Sequence, residues 1–321
     1  MDDPTAAGPT AADFLHDPVM LSEVVDVLTD VPDGYVVDAT LGGAGHAVAL
    51  LAANERLSLV GLDQDQMALD AAGTRLAPHG DRVTLRHRRF DGISDVLREL
   101  GIDRLSGCLF DLGVSSPQLD LADRGFSFRN DGPLDMRMDQ RAAVSADDLV
   151  NGLDEGALAS LLRRHGDEPH ARRIARAIVA ARPIASTAQL ADVIRDAVPA
   201  AARRKGGHPA RRSFQAIRIE VNQELEILDD ALSQALALLA PEGRCAVLSY
   251  HSGEDRIVKR RFRDAAGERP PPRPDLPPPP DYVAEVRLLW RGARKPSAEE
   301  IARNPRAEAA RFRAVEKLAA A

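Results

Sequence analysis

Three aspartates each close a short apolar run: Asp38 follows Tyr35-Val-Val, Asp63 follows Leu57-Ser-Leu-Val-Gly-Leu, and Asp111 follows Leu105-Ser-Gly-Cys-Leu-Phe. Such runs read as buried parallel strands, and an acid at the carboxyl end of one faces the ligand crevice of a doubly wound fold. Asp38 leads into Gly42-Gly43-Ala44-Gly45-His46, a turn whose glycines let backbone amides approach a ligand at the mouth of the next helix. Asp63, eighteen residues beyond Gly45, suits the ribose hydroxyls of a bound nucleoside. Two cofactor classes share this layout. A dinucleotide wants G-x-G-x-x-G, yet Val48 stands where the third glycine belongs, and Asp38 would repel a diphosphate. S-adenosyl-L-methionine, with its cationic sulfonium and ammonium, would welcome that acid. The dinucleotide reading stays open at this point.

The segment Asp111-Leu-Gly-Val-Ser-Ser-Pro-Gln-Leu-Asp120 carries the densest set of polar groups. Its position after a strand places Asp111, Ser115, Ser116 and Gln118 toward cofactor and substrate together. An exocyclic amine on a nucleobase delocalises its lone pair into the ring and is a poor nucleophile until acceptors hold its N–H groups. Asp111, Ser115 and a backbone carbonyl turned outward by Pro117 are suitable acceptors and are the catalytic candidates. Proximity and orientation then supply up to ~7–11 kcal/mol. Ser-Ser-Pro is also ordinary turn chemistry, so a capped loop is the plainer alternative. Phe90, after the third strand, suits an adenine face or a core position equally. His16, before a helix, and His251, after the fifth strand, are weaker site candidates.

The elements that position these groups alternate strand and helix. Strands are expected at Tyr35–Asp38, Leu57–Asp63, Arg82–Arg86, Leu105–Asp111 and Arg244–Tyr250, with Tyr282–Trp290 and Arg311–Leu318 as the last two. This is an α/β, Rossmann-like seven-stranded, mostly parallel sheet. From Leu121 to Ser213 the pattern is helical, which marks an inserted domain. The organisation expected is a disordered tail at 1–13, core at 14–118, an inserted helical substrate-recognition domain at 119–213, and core again at 214–321, with a proline-rich spacer at 269–281 that holds eight prolines.

Net charge is −7, which alone argues against a nucleic-acid partner. Its distribution argues the other way: residues 163–218 hold thirteen Lys or Arg against four acids, and 256–263 add five basic side chains. Arg203, Arg204, Lys205, Arg211, Arg212, Lys259 and Arg260 are the candidate RNA contacts. Cys108 and Cys245 sit in apolar runs and build no metal cluster. No apolar run approaches the ~20 residues of a membrane helix, and no signal segment opens the chain, so a cytoplasmic location without membrane contact is expected. A homodimer is left open.

Longer motifs carry a family resemblance. His16-Asp-Pro-Val-Met-Leu21, Asp38-Ala-Thr-Leu-Gly-Gly-Ala-Gly-His46, the Asp111–Asp120 segment, Arg124-Gly-Phe-Ser-Phe128, Gly132-Pro-Leu-Asp-Met-Arg-Met-Asp139, Ser213-Phe-Gln-Ala-Ile-Arg-Ile219 and Ser249-Tyr-His-Ser252 with Glu254-Asp-Arg-Ile-Val-Lys259 closely resemble the RsmH (MraW) family. The resemblance implies a class I methyltransferase core using S-adenosyl-L-methionine. It implies as target the N4 of a cytidine in the decoding centre of 16S ribosomal RNA, within an assembled or nearly assembled small subunit. It places cofactor contacts on Ala44, Gly45, His46, Asp63, Phe90, Asp111 and Gln118, beside the Asp38 and Gly43 of the turn itself. Tyr250 and Gly253 depart from the expected Phe and Leu, and Glu308-Ala-Ala-Arg-Phe312 departs from Arg-Ser-Ala-Lys-Leu.

Overall fold

A computed structural model describes residues 18–203, 207–268 and 283–319. The expected tail at 1–13, His16, Arg204, Lys205, the spacer at 269–281 and Tyr282 lie outside the described residues. The chain divides into two compact units, Met1–Gly113 with Leu225–Ala321, and Val114–Glu224.

The first unit is a seven-stranded sheet in the order β3-β2-β1-β4-β5-β7-β6. Its strands are β1 (Gly34–Asp38), β2 (Leu57–Asp63), β3 (Val83–His87), β4 (Leu105–Asp111), β5 (Leu239–Ser249), β6 (Val286–Leu288) and β7 (Arg311–Lys317). The strands β1 to β5 pair in parallel, whereas β7 runs antiparallel to both β5 and β6. Both faces are covered: Val37, Cys108 and Phe110 point into one apolar cluster, while Val36, Leu109 and Ala246 point into another. That two-sided burial is why the strands read as unbroken apolar runs. The order reverses between β1 and β4, and a crevice opens at the carboxyl ends beside such a reversal.

Helices α1 (Leu21–Thr29), α2 (Gly45–Ala53), α3 (Gln66–Leu76) and α4 (Ile93–Leu100) fall in this unit. Ser22 does not cap α1; Met20 precedes that helix in a left-handed conformation, and its N–H donates to Glu300 Oε1 at 2.6 Å. The fifth strand, expected from Arg244, starts earlier, at Leu239. Pairing with β4 begins there, and the irregularity is absorbed by a register shift and by Glu242 at φ 66°.

The second unit is helical, with α5 (Ser116–Asp120), α6 (Ala146–Gly152), α7 (Glu155–Gly166), α8 (Ala171–Ala180), α9 (Thr187–Ala197), α10 (Ala200–Arg203) and α11 (Arg211–Asn222). Its bounds are wider than residues 119–213. The helix α11 joins it because Phe214, Ile217 and Val221 pack with Leu158 and Leu162 of α7 and Ile174 of α8. Gln223 at φ 54° ends α11, and α12 (Glu224–Leu238) returns the chain to the sheet. Two long motifs prove architectural here. Buried Arg124 donates to the carbonyls of Arg137 and Met138, and Asn222 bonds the backbone of Met136 and Met138. They fix the loop 132–139 against α11. The last helices, α13 (Ser252–Ala265) and α14 (Ala298–Arg303), belong to the first unit.

Candidate active site

The carboxyl ends of β1, β2 and β4 bring Asp38, Asp63 and Asp111 to one edge of the sheet. Asp38 is buried, with the Thr40 N–H donating to it at 3.2 Å. Burial pushes its carboxyl up to about 8; the Thr40 hydrogen bond opposes this, and the nearby charges of Asp111 and Asp63 add to it. Asp63 accepts from the Gly42 N–H and the Asp65 N–H, both at 2.8 Å, and so ties the turn after β1 to the end of β2. Burial raises it to about 6 against those bonds. Asp111 is also raised by burial, opposed by His46 and by the hydroxyl of Tyr250.

Three acids that burial holds toward their neutral forms make a poor resting place for anions and a good one for a cation. A positive group placed among them would restore their ionised forms and recover the desolvation they carry. The residues present therefore fit the sulfonium and ammonium of a methyl donor and do not fit a diphosphate.

The glycine-rich turn is shaped by packing more than by room for a ligand. Gly42 (φ 49°) and Ala44 (φ 59°) both take left-handed conformations, and Arg75 donates to the Gly43 carbonyl. At Gly45 an added Cβ would lie 2.3 Å from Pro18 Cγ, so the side excluded there is occupied by the chain itself. His46, in the first turn of α2, is buried and places Nε2 3.0 Å from the Val19 carbonyl, with Nδ1 3.6 Å from Asp111 Oδ2. Phe90 is buried beside Ile93 and meets Phe110 edge to face at 5.9 Å. Its core reading is directly visible.

Ser115, Pro117 and Gln118 lie in the second unit. Ser115 and Gln118 form a capping box at the start of α5, in which Gln118 Oε1 accepts from the Ser115 N–H at 3.0 Å. Pro117 stands in the first turn, where a missing N–H costs nothing. The capped-loop reading of Ser-Ser-Pro is therefore also present. His251 caps α13, its Nδ1 accepting from the Gly253 N–H at 3.2 Å, while Glu254 accepts from the Tyr250 and His251 amides at 2.7 and 3.2 Å. That histidine is accounted for by the helix start.

The residue that sequence reasoning missed is Tyr250, whose hydroxyl donates to Asp111 Oδ1 at 2.7 Å. Its departure from an expected Phe was the available signal.

Among the RNA candidates, Arg211 is exposed, Arg203 lies 3.9 Å from Asp196, and Arg212 donates to the Asp167 carbonyl at 3.2 Å. Arg260 pairs with Asp229 at 2.9 Å. Exposed Lys259 lines a cleft of about 470 Å³ with Phe262, Trp290 and Arg291, on the α13, β6 and β7 side of the first unit. Among the described residues no group of three or more His, Cys, Asp or Glu is placed to hold a metal, and no helix is long and apolar enough to cross a membrane.

Known proteins bear on this geometry. Over 309 residues the chain is 53% identical to a ribosomal RNA small subunit methyltransferase H of Thermobifida fusca, covering 94% of this chain and 93% of that protein. It is 50% identical over 310 residues to the protein of that name from Streptomyces avermitilis, covering 94% and 97%. The family model described as MraW methylase matches residues 13–318. A mostly parallel sheet with three cation-receptive acids at its carboxyl edge and similarity along nearly the whole chain agree, and the chain belongs to the MraW methylase family.

Proposed function

We propose that this enzyme transfers a methyl group from S-adenosyl-L-methionine to the N4 amino group of a cytidine in the decoding centre of 16S ribosomal RNA, in the cytoplasm. The observation that carries the cofactor reading is the convergence of Asp38, Asp63 and Asp111 at the sheet edge, each raised by burial. Small-subunit ribosomal RNA as acceptor rests on the relatives' names and on the basic residues of 163–218.

The bound donor supplies an electrophilic methyl whose transfer breaks its S–C bond, forms the N–C bond and releases one amine proton. The chain's residues bind and orient. Asp63 accepts from ribose hydroxyls through the lone pairs its backbone amide bonds leave over. Asp38 and Asp111 attract the cationic end, while Gly43, Ala44, Gly45 and His46 form the turn beside it. Phe90 closes the adenine side, and Gln118 holds the start of α5. Asp111, Ser115 and the carbonyl ahead of Pro117 are the acceptors for the amine N–H groups. Arg203, Arg204, Lys205, Arg211, Arg212, Lys259 and Arg260 hold RNA phosphates, positioning the substrate without reading its sequence.

Small subunits isolated from cells lacking the protein should accept a labelled methyl from the donor in the presence of the purified enzyme. Label appearing in protein or free nucleotide, with none in the RNA, would overturn the reading.

A further inference from the structure

Asp111 is held from three directions within the first unit. Its N–H donates to Thr40 Oγ1 at 2.6 Å, its Oδ1 accepts from the Tyr250 hydroxyl at 2.7 Å, and its Oδ2 lies 3.6 Å from His46 Nδ1. The tyrosine ring lies beside Gly113 (φ 96°), where an added Cβ would meet its Cδ2 at 3.4 Å. A carbonyl can only accept, so the His46 nitrogen 3.0 Å from Val19 O is the protonated one. His46 Nδ1 faces Asp111 Oδ2 from the other side. The tyrosine thus bonds one oxygen of the carboxylate and leaves the other turned toward the histidine.

We propose that Tyr250 is a positioning residue for Asp111: its hydroxyl occupies Oδ1 and fixes the carboxylate plane, so that Oδ2, opposite His46 Nδ1, is the oxygen offered to the cationic end of the methyl donor. This rests on the cofactor reading above.

The groups facing Asp111 are Asp38 from β1, His46 from α2, Tyr250 from the end of β5 and Glu254 from α13. Burial and Glu254 favour the protonated carboxyl, whereas His46 and the Tyr250 hydroxyl favour the ionised one. Without the hydroxyl, Oδ1 loses its donor in a desolvated place, and Asp111 keeps its proton to higher pH. Donor binding would then require more alkaline solution.

The test measures S-adenosyl-L-methionine affinity by titration calorimetry from pH 5 to 9 for the wild type, Tyr250→Phe and Asp111→Asn. Tyr250→Phe keeps the ring and is expected to melt like the wild type and to bind like it at pH 9. On the acid side of its binding curve it should bind more weakly, by up to about tenfold, because the limb set by Asp111 moves up by about one pH unit when one charge-assisted hydrogen bond is lost, while Asp38 is the same in both proteins. A Tyr250→Phe curve with its acid limb unmoved, whether or not affinity drops uniformly, overturns the proposal. If Tyr250→Phe fails to fold, fluorotyrosine incorporation in a Tyr35→Phe/Tyr282→Phe background replaces it. The more acidic phenol should then move the limb downward, and an unmoved limb again overturns the proposal. Failure of the cofactor reading shows separately, as Asp111→Asn binding the donor like the wild type at every pH.

Discussion

At the residue scale, Asp38 makes the sharpest demand on experiment. Its carboxyl goes from 3.8 in the unfolded chain to about 8 in the fold, so the folded state holds a proton that the unfolded state has released. The sign follows: stability is fully present below pH 3.8 and declines as pH rises toward 8. Asp63 adds the same trend between 3.8 and about 6. Asp38→Asn keeps an acceptor for the Thr40 N–H and removes the ionisation. In the ligand-free protein it should raise stability at pH 8 by on the order of a few kcal/mol and change little at pH 4, as read by denaturant midpoints. The same logic requires proton release when a cation binds beside Asp38 near neutral pH, measurable as a buffer-dependent calorimetric enthalpy. A binding enthalpy independent of the buffer would show that Asp38 does not face the ligand. These acids were legible in the sequence because each ends an apolar run. The Tyr250 bond was marked only by a hydroxyl where Phe was expected, which does not name the partner the hydroxyl meets.

At the scale of elements, the strands β2 and β4 coincide with their sequence-expected bounds, because two-sided burial gives unbroken apolar runs. The position of the helix break at Gln223 was not marked, as a left-handed glutamine leaves no compositional sign. Nor did the sequence show that glycines in the turn answer to Pro18. Gly45→Ala should cost about 1–3 kcal/mol by overpacking. Adding Pro18→Ala should return much of that loss, and a double-mutant cycle on denaturant midpoints measures the coupling. Additive effects of the two changes would remove Pro18 as the reason for the glycine.

At the scale of the whole molecule, the acidic net charge conceals a division of labour between the units. Asp38, Asp63 and Asp111 sit on the sheet, while the basic excess of 163–218 lies in the helical unit. Several of its cations are already paired, Arg164 with Glu220 and Arg195 with Asp192 among them, so the raw count of positive charges overstates what RNA can use. Exposed Arg211 and Lys259 are the cleaner candidates. Changing each to Ala should weaken subunit binding across RNA sequences alike and lower the slope of log affinity against log salt by about 0.7–0.9 per lost phosphate contact. An unchanged slope would place both residues away from the RNA. Sequence reading reached the inserted domain from its change of periodicity, yet set its edge inside α11, whose amphipathic pattern does not say which core it joins.

The central claim is that one cytidine amine in the small subunit receives the methyl group. Mapping modified nucleotides in 16S ribosomal RNA from cells with and without the gene tests it most directly. The account requires an N4-methyl mark on a decoding-centre cytidine that disappears without the gene and returns with the wild type but not with Asp111→Asn. A mark that persists without the gene, or that returns fully with Asp111→Asn, would contradict it.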